Sequence, residues 1–408
     1  MRLFVSPEQR FTCAQCGRCC HRTTVPIAAD EAAGLRAAGA AEWFDEDPFE
    51  LIPGHAPLLR IRKRDDGACV FLTAEGRCRI HEVIGEQSKP LACRIFPFSF
   101  HTIRTAAAAG HSEDEIVVSA SFACPTVIAN EGAAATAQRA ELQKLHTAWN
   151  RVFPAPAAPI EFVRGRTIPR DALSRIRTFL MLLLDRPGAL HVNVRRIAAL
   201  IEDWTRPRVL ELDPDAFVEY LELTGNYALA IEAAPPVRPP ARVTRLLFRG
   251  FLFAILALQV RLDAKRGRAG TTLTLARLLA HLHGVGPAVG DYDLGRAMRL
   301  PLPLEDPAVR AIVHRHLRSA FETLGATRRP VADEIAMRAA YLNAASVVGA
   351  MHAAAAGKSS VDAESLTKGL LASGDMSQAD AGGRISSLLT TLAGGVEALY
   401  LFPALRRS

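Results

Sequence analysis

Residues 11–21 read F-T-C-A-Q-C-G-R-C-C-H, which places thiols at Cys13, Cys16, Cys19 and Cys20. Two residues between successive cysteines let their thiolates converge on one centre, and Gly17 permits the positive φ that such a knuckle often requires. Cys13, Cys16 and Cys19 thus make a three-ligand loop. Ferredoxin-type iron–sulfur proteins use the same spacing and complete the set with a remote cysteine, frequently followed by proline; here Cys124 precedes Pro125. Cys20 is adjacent to Cys19, and neighbouring residues in extended chain point in opposite directions. One of the pair is therefore expected to serve a second metal or a second iron, or to remain a free thiol.

With Cys69, Cys78 and Cys93, all eight cysteines of the 408-residue chain fall in its first third. An even count in a small secreted protein would suggest disulfides. The opening Met-Arg-Leu-Phe-Val-Ser-Pro-Glu-Gln-Arg has no apolar core of signal-peptide length. A cytoplasmic location with reduced thiols is the expectation, and clustered reduced thiols point to metal. Thiolate ligation suits both zinc and an iron–sulfur cluster; four cysteines within residues 13–20 and no histidine pair fit the cluster somewhat better. His21 and His81 sit at spacings that permit ligation, but with thiolates in sufficient number a supporting imidazole is the simpler expectation.

The elements that must position these thiols read as short pieces. Gly67–Leu72 and Arg77–His81 flank Thr73-Ala-Glu-Gly76, a strand, turn and strand. If the turn closes a hairpin, Cys69 opposes Ile80 and Phe71 opposes Cys78, with both thiols on one face. From Ala134 onward apolar residues recur at three and four spacing, which predicts helices over 134–151, 171–185, 192–204, 214–232, 241–264, 272–283, 305–324, 331–356, 361–372 and 378–401. Pro169-Arg-Asp171, Asp213-Pro-Asp215 and Glu305-Asp-Pro307 carry helix-start signals, and the proline-rich run from Ala233 to Pro240 interrupts the pattern. The fold class expected is mainly α: a small cysteine-rich domain with a short β-hairpin over 1–130, then an all-helical region divided into 131–234 and 235–408.

The order F-x-C-x-x-C-G-x-C-C, then C-x-F-L-x-x-x-G-x-C, then K-P-L-A-C-R-I-F-P-F and a last cysteine resembles the YkgJ-like CxxCxxCC family of zinc- or iron-chelating domains, which includes the flagellin lysine N-methylase. The likeness covers about residues 10–126. It implies that Cys13, Cys16, Cys19, Cys20, Cys69, Cys78, Cys93 and Cys124 are the metal ligands. Lys89-Pro90 stands where the family commonly shows Arg-Pro, and His81 where it shows tyrosine, whereas Arg94 and Phe96-Pro97 fit as they are. The methylase branch implies S-adenosylmethionine as a second cofactor, with Arg94 and Phe96 as candidate cofactor-binding residues, and a protein substrate. Arg94, next to Cys93, is placed to hold a cluster's negative charge or a substrate carboxylate, and a plain surface salt bridge is an equal expectation.

Charge adds little to this. The net charge is +7 and uneven: residues 1–130 hold 14 basic against 16 acidic side chains, the rest 35 against 26. No basic arm with interleaved aromatics speaks for nucleic acid, and scattered arginines on solvated helix faces account for the excess. The most apolar stretch, Phe251 to Leu258, lies between Arg249 and Arg261 and is far short of the ~20 residues that span a bilayer. Gly284 to Gly290 follows a helical pattern, contains Pro287 and reads as a connector, not a nucleotide loop. Two readings follow: a metal-dependent enzyme resembling the protein-lysine methylase, or a non-catalytic metal-binding or electron-transfer module whose helices bind a partner.

Overall fold

The computed structural model describes residues 2–22, 25–52, 58–103, 115–152, 159–236, 294–297, 299–325 and 329–379. The helices expected over 241–264 and 272–283, nearly all of that over 378–401, and the connector at 284–290 lie outside them. The expected divide at 234 adjoins the same gap.

The N-terminal region is built of short elements. Strand β1 (Arg2–Val5) is followed by the knuckle helix α1 (Arg18–Arg22), β2 (Pro26–Ile27), α2 (Ala29–Ala37), β3 (Phe49–Leu51) and β4 (Leu59–Ile61). Then come α3 (Arg79–Val83), α4 (Leu91–Ile95), β5 (Phe98–Ile103), β6 (Glu115–Ala120) and α5 (Pro125–Ala129). Two three-stranded sheets result. In one, β6 is central, parallel to β1 and antiparallel to β5; in the other, β4 lies between β2 and β3. Ile116, Val117 and Val118 are consecutive and all buried, as expected of a strand covered on both faces.

The helical region follows the expected pattern closely. A short 3₁₀ turn (Ala135–Gln138) leads into α6 (Arg139–Val152), and α7 (Arg170–Leu184), α8 (Leu190–Trp204), α9 (Pro207–Leu210) and α10 (Pro214–Ala230) come next. After the gap stand α11 (Leu294–Ala297), α12 (Pro307–Glu322), α13 (Val331–Ala355) and α14 (Ala363–Ala379). Asp213 and Asp306 cap α10 and α12 through side-chain bonds to backbone N–H groups, each with a proline at the first helical position. Helix α13 is buried on nearly every side, which accounts for its largely apolar sequence. It crosses α14 at two glycines: a Cβ on Gly369 would stand 1.9 Å from the Ala345 carbonyl oxygen, so only glycine allows this approach.

Two expectations need correction. The region is not all helical, because Glu161–Val163 (β7) and Arg166–Thr167 (β8) form a tight hairpin turning at Gly165, whose φ is +80°. Its Phe162 is wholly buried against Trp204 and Phe217. The helix expected to stop at 372 instead runs to Ala379, with the buried Ser373 hydroxyl donating back to the Gly369 and Leu370 carbonyls.

Two hydrophobic clusters organise the described residues. The larger runs from Leu3 and Val5 through β6 and the helices to Leu370. The smaller contains Val25, Ile27, Ile61, Cys69, Phe71 and Ile80, with Cys20, Cys78 and Cys93 packed against it. Phe71 is its centre, with the rings of Trp43, Phe44 and Phe49 at 6.1, 5.2 and 6.0 Å. Among the described residues no helix is long and apolar enough to cross a membrane.

Candidate metal centre

The knuckle is made by two backbone reversals. Gln15 and Gly17 have φ of +52° and +68°, and beyond them Arg18–Arg22 closes one helical turn. Gly17 packs on the tip of the next cysteine-bearing segment, where a Cβ would lie 2.8 Å from the Gly76 carbonyl oxygen. Glycine is thus required here both for conformation and for space. Because Cys19 and Cys20 sit in a helical turn and not in extended chain, their side chains diverge by about 100° instead of pointing apart. Their thiols are within hydrogen-bonding reach of each other.

The second segment also departs from its expected register. Leu72 bridges Cys78, in place of Phe71, and the chain turns into α3 at Arg79. The hairpin is reduced to this bridge and its flanking bonds, from Thr73 N to the Arg77 carbonyl and from Arg79 N to the Phe71 carbonyl. Cys78 then stands at the start of α3, Cys93 within α4 and Cys124 at the start of α5. Very short helices thus carry or adjoin five of the eight thiols, since Cys19 and Cys20 lie in α1.

These pieces surround one cavity. Cys13, Cys16, Cys19, Cys20, Cys69, Cys78, Cys93 and Cys124 all line it, together with Phe11, Val25, Ile61, Phe71, Ile80 and Phe96. Its volume is about 120 Å³, many times the roughly 10–15 Å³ that admits one water. The cavity lies on the seam between the clusters: Phe11, Phe96 and Cys124 belong to or pack on the larger, Val25, Ile61, Phe71 and Cys69 to the smaller. Residues 12–125 match the family model CxxCxxCC, described as "Putative zinc- or iron-chelating domain". The N-terminal region is a CxxCxxCC domain. No curated protein and no solved structure matches the chain.

Within the CxxCxxCC domain the thiols differ in setting. Cys13 and Cys16 are exposed, Cys69 and Cys124 buried, the others between. The contact with Cys20, and then burial, pushes the Cys19 thiol far above the usual range. Burial does the same to Cys93, reinforced by Cys69, Cys78 and Cys19 around it. Burial also raises Cys69 and Cys124, opposed at Cys124 by the N–H groups of Val127 and Thr126. Such thiols hold their protons until a cation offsets the crowding of negative charge. Among the described residues no three or more histidine, cysteine or acidic side chains stand close enough to grip an ion as they are. The sulfurs line the cavity without forming a ready-made ligand set. The thiol-rich donor set fits zinc or iron, both of which take thiolate ligands.

Cationic and polar neighbours complete the domain. Lys63 donates to the Cys20 carbonyl at 2.6 Å, and the Cys69 N–H donates to the same oxygen at 2.8 Å. Lys89 borders the cavity, as does His81. His21 is exposed. Phe96 is on the cavity wall, whereas Arg94 pairs with Glu141 of α6 at 3.5 Å and reaches the Gln87 carbonyl. Lys63 was not legible as a site residue, because it sits in the charged run Arg60–Asp66 and has no cysteine spacing of its own. Its pairing with Cys69 in an isolated bridge gives it its place.

Proposed function

We propose that this protein holds an iron–sulfur cluster in the cavity through its cysteine thiolates. The observation that carries the reading is that eight thiols dispersed over residues 13–124 line a single cavity at the seam of two cores. Its volume favours a polynuclear centre over one ion, and an all-sulfur donor set suits iron–sulfur chemistry. In this setting the protein's own residues exclude water through Phe11, Phe71 and Phe96, and place Lys63 and Lys89 against the accumulated negative charge. An absorption spectrum and metal analysis of the anaerobically purified chain test it. A brown protein with iron and acid-labile sulfide is expected; a colourless protein with stoichiometric zinc overturns the cluster.

A second reading, methyl transfer from S-adenosylmethionine to protein lysine, draws support from the apolar wall at Phe96, beside the thiols. There the donor would lie next to the cluster, and positioning would supply the catalysis. Equilibrium binding of labelled S-adenosylmethionine to loaded protein, lost in Phe96→Ala, is the expected result. A loaded protein that does not bind the donor leaves the non-catalytic metal-binding module.

A further inference from the structure

The knuckle is anchored at its two ends to different parts of the molecule. At its start, Phe11 N donates to the Ala133 carbonyl at 2.8 Å, and Gln138 Nε2 to the Phe11 carbonyl at 2.8 Å. Ala133 N also donates to the Thr12 hydroxyl at 3.0 Å. Gly132 makes room for this contact, since a Cβ there would stand 2.4 Å from Thr12 Oγ1. These bonds tie Phe11 and Thr12 to the chain just beyond α5, the helix that Cys124 begins. At its end, the Cys20 carbonyl takes bonds from Cys69 N and Lys63 Nζ. The positive-φ residues Gln15 and Gly17 lie between the anchors and redirect the chain from one to the other.

The cysteines follow the same division. Cys20, Cys69, Cys78 and Cys93 join the smaller hydrophobic cluster, while Cys124 is part of the larger. We propose that the cavity holds two centres: an inner one on Cys19, Cys20, Cys69, Cys78 and Cys93, and an outer one on Cys13, Cys16 and Cys124. The inference rests on the metal-binding reading above and adds the partition.

The two centres differ in chemistry. The inner set has one thiolate more than a four-coordinate site needs, and none of its cysteines is exposed. The outer set has three thiolates, two of them on exposed residues, and so keeps a coordination position for an exchangeable ligand such as water or a small thiol. The outer metal is the labile one and the place where an external molecule meets the site.

Cys69 and Cys124 are equally shielded, each 7% exposed, so any difference between them in the loaded protein reports metal and not access. The full chain, loaded anaerobically, is titrated with a chelator, and iodoacetamide labelling is mapped by mass spectrometry after a denaturing quench. Cys124 is expected to become reactive together with Cys13 and Cys16, at a lower chelator concentration than Cys69, Cys78 and Cys93. In parallel, Cys16→Ser, Cys124→Ser and their double variant should lose the same fraction of metal, and Cys16→Ser combined with Cys69→Ser the sum of both losses. Release of Cys124 and Cys69 in one step overturns the partition alone. A wild-type chain that binds neither iron nor zinc overturns the metal reading and the partition with it. The labelling arm uses only the wild-type chain and stands if a variant does not fold.

Discussion

The two hydrophobic clusters solve the problem of cohesion differently. Around Trp204, Phe162 and α13 the chain buries large apolar side chains against one another, and helix periodicity supplies the pattern. Around Phe71 the core is small, and thiols occupy positions where an ordinary core would carry valine or leucine. Elements of two to five residues, such as β2, α3 and α4, have too few internal hydrogen bonds to persist alone. Stability in the first case is a property of sequence and water; in the second it is shared with whatever the thiols bind.

The largest expected effect breaks the helical side of this comparison. Trp204→Ala removes a wholly buried ring and its bond to the Thr224 hydroxyl at 2.8 Å, at a cost of about 3–5 kcal/mol. Thermal unfolding should shift down by a similar amount in metal-loaded and metal-free protein. Next, chelation should loosen only the cysteine-rich side. Hydrogen exchange should rise through residues 58–103 and stay low in α7, α8 and α13; a uniform rise would mean that the clusters unfold as one.

A third effect lies at the seam. Lys63→Met removes a donor from the Cys20 carbonyl, and outer partners of this kind are worth about 10–100-fold in metal affinity. A competition titration against a coloured chelator measures it, and the apo protein's melting temperature should hardly move.

Acid offers a fourth handle. Burial, with the positive charges of Arg338 and Arg177, depresses His101 to about 4, and burial with Arg338 depresses His316 to about 3. A base whose folded value lies below its unfolded value, about 6.5, takes up protons more readily when unfolded. Stability from both imidazoles is therefore fully present above pH 6.5 or so and is lost as pH falls toward 4 and 3. His316→Leu should flatten that fall in a pH series of denaturant melts. The smallest effect is Arg94→Met, which breaks a half-exposed bridge to Glu141 and costs about 0–1 kcal/mol.

Much of this was readable in advance, for physical reasons that differ by region. Helices such as Arg170–Leu184 and Leu190–Trp204 announce themselves because packing one face against a core imposes a 3.6-residue period. The hairpin at Phe162 went unread because three residues before Gly165 are too few to show an alternation, though Arg164-Gly165 between β-branched and aromatic residues was the available signal. The cysteines of the site were legible as a group from type and spacing. Their mutual arrangement was not: whether Cys19 and Cys20 diverge depends on a single helical turn, and the register at Cys78 on where α3 begins. The anchoring of Phe11 and Thr12 beside α5 is a contact across more than a hundred residues, and no local pattern encodes it.

The parallel pairing of β1 with β6 has a consequence for biosynthesis. Arg2–Val5 finds its partner only when Glu115–Ala120 has been made, and Cys124 follows a few residues later. At about 5–20 residues per second, the knuckle thiols wait roughly 5–20 s on the ribosome before the last of their companions exists. Once clear of the ribosome, and until the cavity closes around them, they are open to any thiophilic ion or oxidant. On the metal-binding reading proposed above, loading of this cavity is a race between translation and capture, and a slow codon tract between Cys20 and Cys124 would prolong the wait of the knuckle thiols.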